Sequence, residues 1–245
     1  MRVNFFKFVA VDNDFVVFDY SFLESSVFLN PFDFAKKVCN RKMGIGCDGV
    51  IFVGKDDYIH ISFEGKEIFL CGNASRIAGI YIFEKRGVKE IKFLNKNVEV
   101  KIFGKMGNKY EVGLNLGQVC EPIELESGIF FVEKPVGHVV VFEKDKFDVD
   151  YVYNKYGIGF INYFDIEKLE VKSYERHYKG EVFSATGVAE SFWVAYKKYG
   201  LKKSVFLKVR NDEKIRVWLD EKQNLWFSGN VLKIFEGRIS LWDTE

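Results

Sequence analysis

Two segments of the chain place apolar residues at helical spacing, and each segment opens on a small nucleophilic residue. The first, "CGNASRIAGIYIFEKRG", runs from Cys71 to Gly87, and the second, "SATGVAESFWVAYKKYG", runs from Ser184 to Gly200. Their apolar stripes consist of Ile77, Ile80, Tyr81 and Phe83 in the first, and Val188, Phe192, Trp193, Ala195 and Tyr196 in the second. Basic residues followed by glycine end both segments, as is typical of a helix C-terminus. The pattern predicts helices centred on residues 72–86 and 185–199.

The segments around both predicted helices alternate like β-strands. The runs "YIHISFEGKEIFL" and "KLEVKSYERHYKGEVF" precede the helices, and "VKEIKFLNKNVEVKIF" and "LKKSVFLKVRNDEKIRVWL" follow them. This repeat predicts an α+β fold of two pseudo-symmetric halves, each a curved, mostly antiparallel sheet wrapped around a central, largely apolar helix. Glycine and proline residues interrupt the pattern in about residues 115–135, so the expected halves are residues 1–118 and 119–245.

A helix N-terminus suits a small carboxylate, because its first backbone N–H groups are unpaired and its dipole is positive there. The same dipole favours a thiolate over a thiol at Cys71. Gly72 and Ala185-Thr186 leave the backbone accessible to a ligand. If the halves face each other, Cys71 and Ser184 would flank the α-carbon of one bound substrate. Two such groups could invert that carbon by removing a proton from one face and returning one to the other, with no metal or pyridoxal cofactor.

Composition narrows the class of partner. Apolar residues make up 48% of the 245-residue chain and the formal net charge is +1, which predicts a globular protein without affinity for nucleic acid or an anionic membrane. The four cysteines lack Cys-x-x-Cys spacing, which argues against zinc and disulfides and for a reduced, cytoplasmic protein. The N-terminus reads as a strand rather than a signal peptide. We expect a monomer or homodimer that binds a small amino acid.

Six motifs carry a family resemblance in a consistent order. They are "FFKFVAVDNDFVVFD", "RKMGIGCDGVIFV", "GKEIFLCGNASR", "GHVVVF", "YERHYKGEVFSATG" and "FSGNVLKIFEG". Together they resemble the diaminopimelate epimerase family over nearly the whole chain. The resemblance implies an isomerase of lysine biosynthesis that epimerises amino acids without pyridoxal phosphate, and it places the first catalytic cysteine at Cys71. With the helix argument, it gives the expected substrate-binding residues, which are Asn13, Ser62, Gly72, Asn73, His138, Glu175, Arg176, Ala185 and Thr186.

The chain departs from the family pattern at several of these positions. The second catalytic cysteine of the family corresponds to Ser184, which precedes Ala185 where the family has glycine. Three asparagines that bind substrate in the family correspond to Ser62, Val136 and Gly157. Glu175 and Arg176 remain. The residues expected around the reacting carbon are therefore partly retained, whereas those expected to recognise the far end of diaminopimelate are changed.

Replacing cysteine by serine leaves the mechanism open. A hydroxyl is a much weaker acid than a thiol, so Ser184 is a poor base unless a neighbour such as His177 or Glu181 activates it. The protein could be an epimerase with a slow or water-assisted second base. It could instead be a one-base dehydratase or isomerase of a small carboxylate, or a non-catalytic amino-acid-binding relative. Ser184 could also serve simply as a helix N-cap, and Cys71 as a buried apolar residue.

Overall fold

Four α-helices lie in the part of the chain that the computed structural model describes, namely residues 2–23, 30–176, 178 and 180–240. They are α1 (Pro31–Cys39), α2 (Gly72–Arg86), α3 (Val149–Tyr156) and α4 (Ala185–Tyr199). The predicted helices over 72–86 and 185–199 are thus confirmed as α2 and α4, and Gly87 and Gly200 end them in the left-handed conformation. Among the described residues, no helix combines the length and apolar character needed to span a membrane.

Most of the remaining ordered structure is β-sheet, as the alternating runs predict. The strands are β1 (Arg2–Ala10), β2 (Asn13–Asp19), β3 (Gly49–Val53), β4 (Tyr58–Ser62), β5 (Glu90–Phe93), β6 (Val98–Met106), β7 (Lys109–Asn115), β8 (Ile123–Glu126), β9 (Ile129–Val132), β10 (His138–Val141), β11 (Phe160–Asp165), β12 (Glu170–Glu175), β13 (Glu181–Val182), β14 (Ser204–Lys208), β15 (Lys214–Leu219) and β16 (Leu225–Ser240). The α+β class is therefore confirmed, while the similarity of two halves stays a prediction.

Packing divides the chain into two units, Met1–Val112 with Asn230–Glu245, and Gly113–Gly229. This division differs from the predicted boundary after residue 118 chiefly at the C-terminal end. There, the residues of β16 from Leu232 onward pair antiparallel with β1, so the end of the chain groups with its beginning. Pairing between strands so far apart in sequence leaves no local signal in either strand.

In the first unit, the strand order β4-β3-β2-β1-β16 continues on the other side of β16 with β7, β6 and β5. The β2–β3 pair is parallel, and β1 pairs antiparallel with both β2 and β16. Helix α2 packs against β1 to β4 and β6. Every residue of α2 from Gly72 to Ile82 is buried, which explains why its amphipathic pattern is weak.

In the second unit, the strand order is β16-β15-β14-β12-β11-β10-β9-β8, and β13 pairs with β12. The β10–β11 and β12–β14 pairs are parallel, and the other pairs with a defined register are antiparallel. Helix α4 packs against β9 to β12 and β15 and is buried from Ala185 to Ala195. Each unit therefore encloses the first turns of one apolar helix, and the two candidate catalytic residues immediately precede these turns.

Candidate active site

Cys71 is the residue immediately before α2, and its extended backbone (φ −135°, ψ 118°) turns the chain into the helix. Its side chain is half-buried and makes no capping hydrogen bond to the helix. The backbone carbonyl of Cys71 accepts from both the N–H and the hydroxyl of Ser75, each at 2.9 Å. The Ser75 hydroxyl also lies 2.6 Å from that of Tyr58, whose pKa is raised by burial and further by an ionised Cys71. These contacts hold the cysteine backbone in place at the start of the helix.

Arg76 places a buried positive charge beneath this helix N-terminus. Its side chain is fully buried and donates to the Gly72 carbonyl at 3.3 Å and to Asn73 Oδ1 at 2.7 Å. The Asn73 amide in turn donates to Asn13 Oδ1 at 2.8 Å, so two of the predicted substrate-binding residues meet here. Burial lowers the pKa of Arg76 to about 10, and an ionised Cys71 raises it. Because this attraction is mutual, the buried guanidinium favours the thiolate form of Cys71.

Ser184 occupies the corresponding position before α4, and its predicted N-cap role is present. Its backbone is extended (φ −123°, ψ 106°), and its Oγ accepts from the Gly187 N–H at 3.2 Å. The hydroxyl of Thr186, a buried residue, lies 3.3 Å from the same Oγ. Gly187 fits tightly, because a β-carbon at that position would come within 2.4 Å of Asn162 Oδ1. The first turn of α4 thus presents a hydroxyl instead of a thiol.

His138 and Glu190 extend this site into the core of the second unit. His138 Nε2 lies 3.2 Å from Ser184 Oγ, and His138 Nδ1 lies 2.8 Å from Glu190 Oε2. The second carboxylate oxygen of Glu190 accepts from the Val136 N–H at 3.2 Å. The side chains of His138 and Glu190 are 1% and 0% exposed, so these contacts replace the water that both groups would otherwise bind.

This chain of contacts defines which nitrogen of His138 can accept a proton. A carboxylate can only accept a hydrogen bond, so Nδ1 donates to Glu190 and holds that ring nitrogen protonated. In the neutral imidazole, Nε2 is then the acceptor and faces the Ser184 hydroxyl. Ser184, His138 and Glu190 thus link a hydroxyl to an imidazole and the imidazole to a carboxylate. In such an arrangement, a weakly acidic hydroxyl can transfer its proton to the imidazole.

Arg76 and Glu190 are not among the site residues expected from the sequence. The signal was nonetheless present, because each is a charged residue among the apolar residues of a predicted buried helix, as in "GVAESFWVAY". The expected activators of Ser184 were different residues. His177 lies outside the described residues, and Glu181 lies on β13, where it pairs with Tyr174 of β12. Instead, the imidazole of His138, which was predicted to bind substrate, lies within hydrogen-bonding distance of Ser184 Oγ.

The other predicted substrate-binding residues separate into two groups. Gly72 and Asn73 lie in the first turn of α2, and Ala185 and Thr186 lie in that of α4. Ser62 accepts a weak hydrogen bond from the Lys66 N–H at 3.4 Å, within its own turn. Glu175 ends β12, and the exposed Arg176 stacks with its guanidinium carbon 3.3 Å from the centre of the Tyr153 ring. The described contacts thus connect Asn13 to the α2 N-terminus and His138 to the α4 N-terminus, whereas those given for Ser62 and Arg176 are with Lys66 and Tyr153.

Within the described residues, no group of three or more histidine, cysteine, aspartate or glutamate side chains is placed to hold a metal ion. The four cysteines are all thiols rather than disulfides. The N-terminus of α2 carries the Cys71 thiol, with the Arg76 guanidinium in the helix that follows it. The N-terminus of α4 carries the Ser184 hydroxyl, which lies next to the His138 imidazole and, through it, the Glu190 carboxylate.

Comparison with known proteins adds relatives of named activity. No family model matches the chain. A diaminopimelate epimerase from Campylobacter lari is 29% identical over 251 residues, which cover 96% of this chain and 98% of the relative. Among solved structures, a predicted epimerase from Pseudomonas aeruginosa has a TM-score of 0.75 at 12% identity and covers 99% of this chain and 100% of its own. A hydroxyproline epimerase from Agrobacterium vitis, solved with bound trans-4-hydroxy-L-proline, has a TM-score of 0.61 at 11% identity, covering 99% and 93%.

The structural neighbours, at such low identity, show a shared fold. The match to the Campylobacter lari diaminopimelate epimerase covers almost the entire chain. The resemblance drawn from the six motifs is confirmed by the sequence comparison. The replacements of family residues at Ser62, Val136, Gly157 and Ser184 stay predictions. The protein is an isomerase, and nearly the whole chain is similar in sequence to diaminopimelate epimerases.

Proposed function

We propose that the protein is a cofactor-independent epimerase or racemase of an α-amino acid, in which Cys71 removes or returns the α-proton on one face and the Ser184 group acts on the other. The observation that carries this proposal is the placement of the two residues. Each immediately precedes a buried helix of 15 residues, at the end where backbone N–H groups lack intrahelical acceptors.

Cys71 has the chemistry required of the first base. A thiolate is a far better base than a thiol, and a helix N-terminus together with a cation promotes its formation. Arg76 supplies that cation from a position with no exposed surface, where its field is not screened by water. In the proposed step, the bond between Cα and its hydrogen breaks and the proton forms an S–H bond on Cys71.

The first turns of α2 and α4 suit the charge that develops in this step. Loss of the α-proton spreads negative charge from Cα into the substrate carboxylate. Backbone N–H groups at a helix N-terminus are oriented before the reaction and can stabilise that charge without reorganisation. Gly72 has no side chain that would block the approach of such a ligand to the first N–H groups of α2. No step in this sequence requires a cofactor.

The substrate is proposed to be an amino acid whose far end differs from that of diaminopimelate. The motif resemblance implies that Ser62, Val136 and Gly157 stand at three positions where the family binds substrate through asparagine. Serine is shorter than asparagine, and valine and glycine have no side-chain hydrogen-bonding group. These replacements remove up to three polar contacts, which would lower the affinity for a second amino-acid group. Diaminopimelate is therefore the reference compound in the test and is not assumed to be the best substrate.

The test is α-proton exchange in deuterated water. Purified protein is incubated with a panel of L- and D-amino acids that includes diaminopimelate, and α-deuterium and change of configuration are followed by NMR and chiral chromatography. We expect one or more members of the panel to exchange and invert, and we expect Cys71→Ala to abolish both. Absence of exchange across the panel would contradict the proposal, and ligand-dependent thermal stabilisation without exchange would then indicate an amino-acid-binding relative.

A second candidate follows from the hydroxyl at residue 184. If Cys71 is the sole base, Ser184 could hold a leaving group on the β-carbon, and the enzyme would be a dehydratase or isomerase of a small carboxylate. Loss of water from a β-hydroxy amino acid, dependent on Cys71 and without inversion of the unreacted substrate, would favour this candidate. Inversion without elimination would exclude it.

A further inference from the structure

A serine in place of a catalytic cysteine poses a chemical problem for the second base. A free serine alkoxide is scarcely present near neutral pH, so Ser184 alone could not remove an α-proton at a useful rate. We infer that Ser184, His138 and Glu190 form a proton relay, in which Ser184 is the catalytic residue that passes the proton and His138 is the group that stores it. This inference rests on the proposed function for its substrate, but the activation of Ser184 can be tested without one.

The relay balances without a free alkoxide. As the bond between Cα and its hydrogen breaks, that proton forms an O–H bond on Ser184. The original hydroxyl proton of Ser184 simultaneously forms an N–H bond on His138 Nε2. The hydroxyl is neutral before and after the step, and the positive charge resides on His138 beside Glu190. In the reverse direction, the imidazolium returns its proton to Ser184 while the Ser184 hydroxyl protonates the carbanion.

The described contacts orient all three groups for this transfer. Gly187 donates to one lone pair of Ser184 Oγ, so the hydroxyl proton is directed to another neighbour. The imidazole offers Nε2 at 3.2 Å, because Nδ1 donates to Glu190 at 2.8 Å. The Thr186 hydroxyl at 3.3 Å is the competing acceptor, and an imidazole nitrogen is the stronger base.

The carboxylate of Glu190 has a defined part in this relay. A charge with 0% exposure is costly unless it is paired, and Glu190 is paired with the Val136 N–H and with His138 Nδ1. Glu190 thereby fixes the ring orientation of His138 and stabilises the imidazolium that forms. It does not contact the reacting atoms in this scheme and is a positioning residue.

A purely structural role for Glu190 is the alternative to be excluded. The same contacts would simply anchor the segment of Val136 and His138 to α4. On that view, removing the charge of Glu190 would lower thermal stability and leave the reactivity of Ser184 unchanged. The test therefore needs a readout of the hydroxyl itself, together with a control that loses a comparable carboxylate elsewhere.

Phosphonylation by a fluorophosphonate supplies this readout. Ser184 Oγ would attack phosphorus, fluoride would leave, and the hydroxyl proton would pass to His138. We expect labelling to map to Ser184 by peptide mass spectrometry and to be absent in Ser184→Ala. We expect Glu190→Gln and His138→Gln to slow labelling roughly 10²-fold, the lower range for loss of a positioned base. Glu84→Gln is the matched control, because Glu84 accepts from Tyr110 and Lys233 in the first unit, and it should label at the wild-type rate.

Each outcome decides for or against the relay. Labelling of Glu190→Gln at the wild-type rate would overturn the part assigned to Glu190, and if that variant fails to fold, the folded His138→Gln protein carries the same test. Ser184→Cys, treated with iodoacetamide, reports whether small molecules reach the position. Alkylation of that cysteine without phosphonylation of wild-type Ser184 would overturn the relay. Absence of alkylation would also overturn it, because a sealed residue 184 could not meet a substrate.

The relay and the proposed function fail in different ways. Phosphonylation of Ser184 that depends on Glu190, without exchange of any amino acid, would support the relay and contradict the proposed function. Exchange and inversion that persist in Ser184→Ala and His138→Gln would support the function and contradict the relay. Support for both the relay and the proposed function requires His138→Gln to slow the labelling of Ser184 and the inversion of the amino acid together.

Discussion

The residues that precede α2 and α4 have similar extended backbones, but the buried charges in the two helices have opposite signs. At α2, the thiol of Cys71 precedes a helix whose interior holds the buried cation Arg76. At α4, the hydroxyl of Ser184 precedes a helix whose interior holds the buried carboxylate Glu190, bonded to His138. A buried charge of either sign is costly, so its presence beside a candidate catalytic group is informative.

The difference follows from what each nucleophile requires. A thiol can ionise near neutral pH, and a nearby cation stabilises the anion it forms. A hydroxyl cannot ionise there and instead needs an acceptor for its proton, which His138 provides and Glu190 orients. The reactivity of Ser184 therefore depends on His138 and Glu190 as well as on its own hydroxyl. The buried charge near each residue matches the chemistry of that residue.

The largest expected effect comes from removing the two candidate groups one at a time. Cys71→Ala should lower the rate of inversion by 10³-fold or more, and Ser184→Ala by about 10²-fold, both in the range found for loss of general acid–base groups. The loss of unfolding free energy should show the reverse order, with the larger loss in Ser184→Ala. Ser184→Ala loses an N-cap worth about 1 kcal/mol, whereas Cys71 makes no capping bond. Inversion rates and urea titrations of both variants check this, and equal losses of stability would contradict the assigned caps.

The second prediction compares the buried histidine of each unit. His138 is bonded to Glu190, whereas neither ring nitrogen of His60 has a hydrogen-bond partner in the described part of the chain. Burial lowers the pKa of His60 to about 3, with a smaller contribution from Lys96. Between about pH 6.5 and 3, the unfolded chain therefore binds a proton at His60 that the folded protein does not, and stability falls as pH falls.

Replacing His60 tests this acid sensitivity. The ring packs edge-on against Phe15 at a centroid distance of 5.3 Å, so His60→Phe keeps an aromatic ring in place. The variant should remove a slope of at most about 1.4 kcal/mol per pH unit below pH 6.5. Urea titrations at pH 7, 5.5 and 4.5 measure it. A variant that loses stability with pH as steeply as the wild type would show that other groups dominate acid unfolding.

The third prediction examines the cation at α2. Arg76→Met keeps most of the side-chain length and removes the charge that favours the Cys71 thiolate. We expect iodoacetamide to alkylate Cys71 roughly tenfold more slowly at pH 7, because the charge that stabilises the reactive thiolate is removed. In a pH series, the increase in alkylation rate should occur at a higher pH in Arg76→Met than in the wild-type protein. The expected control is Lys85→Met, near the other end of α2, which should leave the rate unchanged. Equal rates in wild type and Arg76→Met would contradict the electrostatic part assigned to Arg76.

The smallest effect concerns the close packing of α4. Gly187→Ala would place a methyl group within 2.4 Å of Asn162 Oδ1 and shift the N–H that donates to Ser184. We expect a loss of about 1–3 kcal/mol of unfolding free energy, as for other overpacked sites. Gly79→Ala in α2, where the added methyl would meet a Val100 methyl at 2.4 Å, is the comparison, because it overpacks the other helix without touching a capping residue. Inversion slowed only in Gly187→Ala would distinguish displaced chemistry from general destabilisation.

The sequence alone determined the elements whose information is local. Apolar spacing, basic last turns and terminal glycines defined α2 and α4 at the observed residues, and a serine before the helix predicted the N-cap. Motif order was sufficient to indicate the relatives later found by comparison, because it extends along the whole chain. These properties depend on neighbours a few residues apart, which a pattern can record.

Only the tertiary structure decided which distant residues meet. His138 is 46 positions from Ser184 and 52 from Glu190, and these contacts exist because β10 packs beside α4. In the same way, the pairing of β16 with β1 assigned the end of the chain to the first unit. Strand pairing and helix packing choose partners by the fit of whole surfaces, so no spacing along the chain contains them. The activator of Ser184 was therefore visible only once the folded chain brought His138 to it.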